Sequence, residues 1–143
     1  MRVAIIGTGL QARRRALPIL DSINDSLNFV GSSNETRARK FANDYRCEKW
    51  GDWRTAVRRG DLDAVVVCTT PESHAEITLE ALSAGKHVLC EKPLAKTVAE
   101  AQAMVDAAAQ AKRVLKCGFN HRHHPAPPTQ PRSHQPPTKL FRR

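Results

Sequence analysis

The residues best placed to do chemistry stand at the start of the chain. Gly7-Thr8-Gly9-Leu10-Gln11-Ala12 follows the apolar run Arg2–Ile6 directly and leads into a helical stretch toward Leu17. The spacing is G-x-G-x-x-A, with a strand before it and a helix after it, as a dinucleotide-type turn requires. Gly7 permits the tight turn, Gly9 lets the backbone approach a pyrophosphate, and Ala12 lets the helix pack closely on the strand. The first amides of that helix, with about half a positive charge, then face the phosphates. Lys92 is a second chemical group, at the carboxyl edge of the apolar run 87–90, with Pro93 stiffening the backbone behind it. Open α/β sheets hold their ligands at that edge, where an ammonium can polarise a hydroxyl and stabilise developing alkoxide charge.

These groups need a scaffold, and the pattern of the first 120 residues predicts one. Short β-branched runs alternate with helical stretches of ten or more residues, the signature of a parallel sheet with crossover helices. Strands are expected at Arg2–Ile6 and at residues 27–31, 64–69, 87–90 and 114–118, with a weak one near 47–50. Their near-continuous apolar character suits strands covered on both faces. Thr70-Pro71 is expected to cap a helix with proline at its first position, and Gly85 to stop it in a left-handed conformation. Thr97 and Glu100 form a capping box for a helix whose packed face should be Val98, Ala101, Val105 and Ala108. Right-handed crossovers then give a doubly wound α/β layer. Trp50 and Trp53 read as packing residues, and Cys47, Cys68, Cys90 and Cys117, in no CxxC spacing, as reduced core thiols.

The position that reads an adenosine ribose is less regular. About twenty residues past the glycine turn a carboxylate is expected to bond the ribose of NAD. Here the second strand ends Val30-Gly31-Ser32-Ser33-Asn34, and Arg37, Arg39 and Lys40 follow. Nothing at that spot repels a 2′-phosphate, which tilts the cofactor toward NADP over NAD, although a basic helix face in solvent has the same appearance.

Three further motifs follow in order: Cys68-Thr69-Thr70-Pro71 with His74, Gly85-Lys86-His87-Val88-Leu89-Cys90-Glu91-Lys92-Pro93, and Gly118-Phe119-Asn120-His121-Arg122. With the glycine turn, they resemble the glucose-fructose oxidoreductase / inositol dehydrogenase (Gfo/Idh/MocA) family over about residues 1–125. The resemblance implies an N-terminal Rossmann domain, here residues 1–122, that binds NAD or NADP, followed in the family by a larger α/β substrate domain. Such enzymes mostly pass hydride between the nicotinamide and a sugar or cyclitol hydroxyl. By that analogy Gly7, Thr8, Gly9, Leu10, Gln11 and Ala12 hold the pyrophosphate. Ser32, Ser33 and Arg37 sit by the adenosine ribose, and Cys68, Thr69, Thr70, Pro71 and His74 lie along the cofactor. Glu91, Lys92 and Asn120 fall at the nicotinamide end, with Lys92 the catalytic group.

Beyond Pro125 the pattern changes. The net charge of +9 is uneven: residues 121–143 carry five of the 23 Lys and Arg, none of the acids, six of the nine prolines and four of the six histidines. A segment of that composition, here residues 123–143, is expected to be a disordered basic tail. The family's substrate domain has no counterpart in it, so a truncated oxidoreductase without independent turnover is expected, from a shortened gene or a shifted reading frame. A small-molecule substrate would bind only if a second domain were supplied. Two other readings stand beside this one: an enzyme completed in trans, and a module whose basic tail binds an acidic partner. With one aromatic residue the tail does not read as a nucleic-acid binder. Its histidines lack partners at ligand spacing, so no metal is expected. No apolar run reaches membrane-spanning length, and the expected compartment is the cytoplasm. The oligomeric state is left open.

Overall fold

The computed structural model describes residues 1–119. The order is β1 (Arg2–Ile6), α1 (Leu10–Leu20), β2 (Ser26–Gly31), α2 (Glu35–Asp44), β3 (Trp50–Gly51), α3 (Trp53–Arg58), β4 (Ala64–Val67), a 3-10 turn (Pro71–Ser73), α4 (His74–Ser83), β5 (His87–Cys90), α5 (Val98–Ala111) and β6 (Leu115–Cys117). The strands form one sheet in the order β3-β2-β1-β4-β5-β6. Every neighbouring pair is parallel. The chain therefore winds outward from β1 in one direction and from β4 in the other. The order reverses between β1 and β4, which opens a crevice at the carboxyl ends of those strands.

Alternation along the central strands feeds two cores. Val3, Ile5 and Val66 pack with Ala12 and Ala16 of α1 and Ala38 and Phe41 of α2. Ala4, Ile6, Val65 and Val67 pack with Val57 of α3, Ile77 and Leu82 of α4, and Met104 of α5. Ile5, Ile6, Val65 and Val67 are fully buried, as central strands covered on both faces must be. On the α1 side a groove of about 490 Å³ stays open over the other half of the sheet, between Pro18 and Ile19 and the strand residues Val3, Ala64, Val66 and Leu89.

Local signals set most element ends. Thr97 and Glu100 form the reciprocal capping box of α5. Gly85 takes φ +74° after α4, and its amide donates to Leu82 O at 2.9 Å. Four expectations need correction. Thr70-Pro71 starts the 3-10 turn without a side-chain cap, and α4 begins only at His74. The packed face of α5 is Met104 and Ala108, whereas Val98 is 86% and Val105 50% exposed. The helix is rotated so that Met104 and Ala108, four apart, meet the core with Ala107 beside them. The weak strand comprises only Trp50 and Gly51, because the chain from Tyr45 to Cys47 is used in closing α2, with Arg46 at φ 55° and Cys47 N bonded to Ala42 O. Cys117 is exposed, while Cys47, Cys68 and Cys90 are buried, and all four are free thiols. Trp53 is buried in the core beneath α3, and Trp50 packs half-buried against the other core. The expected boundary at residue 122 and tail at 123–143 lie outside the described residues.

Candidate functional site

The crevice at the sheet's reversal is built from three chain segments. The first is the glycine turn. Gly7 holds φ +101° with its amide on Gly31 O at 2.8 Å, and a Cβ there would stand 2.5 Å from Cys68 O. Only glycine fits this backbone and this approach. Gly9 is the N-cap of α1 in an extended conformation, and a Cβ built on it meets nothing within 4 Å. The helix opens without a side-chain cap and without an acidic residue in its first turn. Its first amides and their partial positive charge thus face an open space. Ala12 is fully buried and brings α1 close to the sheet.

The second segment follows β2. Ser32 Oγ accepts from Asn34 N at 3.1 Å, and Asn34 Oδ1 caps α2 by accepting from Arg37 N at 2.9 Å. Ser33 is exposed and Ser32 half-buried. A pocket of about 290 Å³ joins this loop's helix to the glycine turn, lined by Thr8, Gly9, Arg13, Arg37, Lys40, Phe41 and Asp44. Arg37 therefore shares this pocket with the turn, and so does Arg13, which the sequence pattern had not singled out. Lys40 also pairs with Asp44 at 3.2 Å.

The third segment comprises the loops after β4 and β5. Cys68 N extends the ladder onto Ile6 O at 2.7 Å. Burial, and then the charge of Glu91, pushes the Cys68 thiol up to about 12, so it is no nucleophile near neutrality. Thr69 Oγ1 is buried with no hydrogen-bond partner among the described residues. His74 is 1% exposed, with Nδ1 2.8 Å from Pro93 O and Nε2 3.1 Å from Thr69 O. Both partners are carbonyls that can only accept, so a neutral ring donates to one and lies against the other, wedged between the two loops and not lining open space. The Lys92-Pro93 peptide is cis, and Lys92 is exposed. Glu91 is 3% exposed and bound to the Arg15 guanidinium, with Arg15 Nε at 2.6 Å from its Oε1. Its carboxylate is thereby occupied by protein. Asn120 lies outside the described residues.

The sequence reading missed Arg15 as well as Arg13. Arg15 stands three residues after buried Ala12, on the inward face of α1, and a charge on a packed face signals a buried partner. Among the described residues no group of three or more His, Cys, Asp and Glu could hold a metal, and no helix is long and apolar enough to cross a membrane.

The site also passes the test for a dinucleotide. The space above Gly9 and the uncapped start of α1 are what a pyrophosphate would fill. A doubly wound parallel sheet with this turn at its reversal is a Rossmann domain of the nucleotide-binding class. The Gfo/Idh/MocA model, described as an oxidoreductase family with an NAD-binding Rossmann fold, matches residues 1–119, and the chain belongs to that family. It is 34% identical over 125 residues to dTDP-3,4-didehydro-2,6-dideoxy-alpha-D-glucose 3-reductase of Saccharopolyspora spinosa, covering 87% of this chain and 38% of that one. It is 32% identical over 124 residues to myo-inositol 2-dehydrogenase of Thermotoga maritima, covering 85% and 37%. The fold is similar to a 3-ketoreductase from Actinomadura kijaniata solved with TDP-benzene and NADP, at TM-score 0.81 and 34% identity, over 87% of this chain and 40% of that one. The chain thus spans 37–38% of the length of these two curated relatives.

Proposed function

We propose that residues 1–119 hold the nicotinamide dinucleotide and present Lys92 for hydride transfer between that cofactor and a hydroxyl of a sugar or cyclitol. The observation that carries this reading is the open, uncapped start of α1 above Gly9, at the reversal of the sheet. Amides of Gly9, Leu10, Gln11 and Ala12 would bond the pyrophosphate, with Gly7 and Thr8 shaping the turn. Ser32, Ser33 and Arg37 would lie by the adenosine ribose, and Cys68, Thr69, Thr70 and Pro71 along the cofactor toward Lys92. The bound cofactor supplies the hydride or accepts it. The chain's part is to orient it, and to set the Lys92 ammonium where it polarises the reacting oxygen. His74 acts by holding the loops that carry Thr69 and Lys92.

NADP is favoured over NAD. Arg13, Arg37 and Lys40 converge on the pocket beside Gly9, and residues 30–34 at the end of β2 carry no carboxylate to repel a 2′-phosphate. The remaining length of the relatives would supply the substrate pocket and the main acid/base group. Without it, loss of substrate positioning alone forfeits about 7 to 11 kcal/mol of catalysis. Residues 1–119 on their own would therefore bind the cofactor without turning substrate over. Titration with NADH and NADPH, followed by nicotinamide fluorescence, tests the reading. Saturable binding is expected, tighter for NADPH, with the preference lost in R37A. Binding of neither cofactor overturns it.

A further inference from the structure

We infer that Arg15 and Glu91 form a positioning pair that fixes Lys92 relative to the phosphate-binding helix, and that residue 118 is glycine because the pair occupies the space a side chain would need. The inference rests on the dinucleotide reading above and assigns roles to two residues that do not themselves face the cofactor.

The pair lies where three parts of the fold converge. Arg15 comes from the inward face of α1, Glu91 is the first residue past β5, and Gly118 is the first past β6. Arg15 donates Nε to Glu91 Oε1 at 2.6 Å and approaches the same oxygen with Nη2 at 2.5 Å. Nη2 also donates to Gly118 O at 3.3 Å. Glu91 Oε2 in turn accepts from Lys92 N at 3.3 Å, and Glu91 N donates to Val67 O at 2.9 Å. One continuous polar path thus runs from α1 through Arg15 and Glu91 to the Lys92 backbone. A Cβ on Gly118 would stand 2.9 Å from both Arg15 Nη2 and Glu91 Oε1. On the far side of Lys92, the Pro93 carbonyl is held by His74. The exposed Lys92 side chain therefore stands on a segment anchored at both ends.

Burial gives the pair its consequence. The Glu91 side chain is 4% exposed, so water cannot replace Arg15 beside its carboxylate, whereas Arg15 at 20% keeps some access to solvent. A buried charge left alone drives its segment to rearrange, and the segment that carries Glu91 also carries Lys92. The adenosine and pyrophosphate contacts belong to the first turn of α1 and to the segment after β2, whereas the bond between Arg15 and Glu91 lies farther along α1, beside Lys92. Removing the pair should therefore cost binding at the nicotinamide end alone.

ADP-ribose, NADH and NADPH provide the test, because ADP-ribose lacks the nicotinamide. Their affinities are measured for wild type, E91Q, R15M and the milder R15K, which keeps the charge and loses the guanidinium fork. Acetylation of the Lys92 amine, with and without NADPH, is read by mass spectrometry. In the variants we expect ADP-ribose affinity within about twofold of wild type, the advantage of the full dinucleotides reduced about tenfold, and NADPH protection of Lys92 lost. R15K should show the same pattern in weaker form, and it decides the matter should E91Q and R15M not fold. An unchanged ratio of dinucleotide to ADP-ribose affinity, or unchanged protection of Lys92, reduces the pair to a structural tie and overturns the inference. Equal loss of ADP-ribose and dinucleotide binding in a folded variant overturns it too. Wild-type protein that binds no ADP-ribose refutes the dinucleotide reading itself, a result distinct from the others.

Discussion

Gly9→Ala separates the two reasons a glycine can stand in this turn. Gly9 already has an extended backbone, φ −81° and ψ −170°, which alanine adopts without strain, and the added methyl meets nothing within 4 Å. As an N-cap, alanine is worse than glycine by up to about 1 kcal/mol. Loss of unfolded-chain freedom returns about 0.4 to 1 kcal/mol. The two nearly cancel, so the melting temperature should move by no more than about 4 °C. The methyl does occupy the open space over the first amides of α1. If it displaces a phosphate oxygen from one charge-assisted hydrogen bond, about 1.5 to 3 kcal/mol of binding is lost, or about 10- to 150-fold in affinity. Thermal melts and calorimetric titration with NADPH on the same preparations read both quantities. A variant that melts normally and binds within about threefold of wild type would show that no phosphate approaches Gly9, and would refute the reasoning.

Gly7→Ala should behave oppositely, because its Cβ would lie 2.5 Å from Cys68 O on a backbone at φ +101°. Its melting temperature is expected to fall by more than about 5 °C even without ligand, and a melt equal to wild type would contradict the close approach. The Arg2 guanidinium and amide bond the Asp63 carboxylate and hold it well below the usual carboxylate range. A lowered carboxylate contributes stability above its unfolded value, about 4, and loses that contribution as pH falls through the folded value. Asp63→Asn should therefore have a lower urea midpoint than wild type at neutral pH, with a gap that closes in strong acid. A gap that is constant with pH would exclude the ion pair as its source. Among the thiols, Cys117 is exposed, while burial pushes Cys68 and Cys90 up to about 12 and raises Cys47. Ellman's reagent should find one fast thiol in the native protein and the rest only in denaturant, whereas several fast native thiols would contradict the buried placement.

What could be read in advance was whatever a local pattern encodes. The β/α alternation, the glycine turn, the stop at Gly85 and the box at Thr97 each depend on residues a few positions apart, and the structure keeps them. What could not be read depends on distant segments meeting. Arg15 and Glu91 are 76 positions apart, and no spacing rule joins them. Arg13 of α1 and Arg37 of α2 line one pocket although they are far apart in the chain. Val98 and Val105 mark the limit of periodicity, since two valines at helical spacing look like a packed face, yet Met104 and Ala108 meet the core. The Thr70-Pro71 signal marked the start of a helical segment correctly but could not distinguish a 3-10 turn from the α-helix behind it.

The central claim is that the first amides of α1 hold the phosphates of a nicotinamide dinucleotide. Amide proton–nitrogen spectra of ¹⁵N-labelled protein during addition of NADPH test it most directly. The largest shifts are predicted at Gly7, Gly9, Leu10, Gln11 and Ala12, saturating together. Shifts that saturate elsewhere while those five resonances stay still would contradict it.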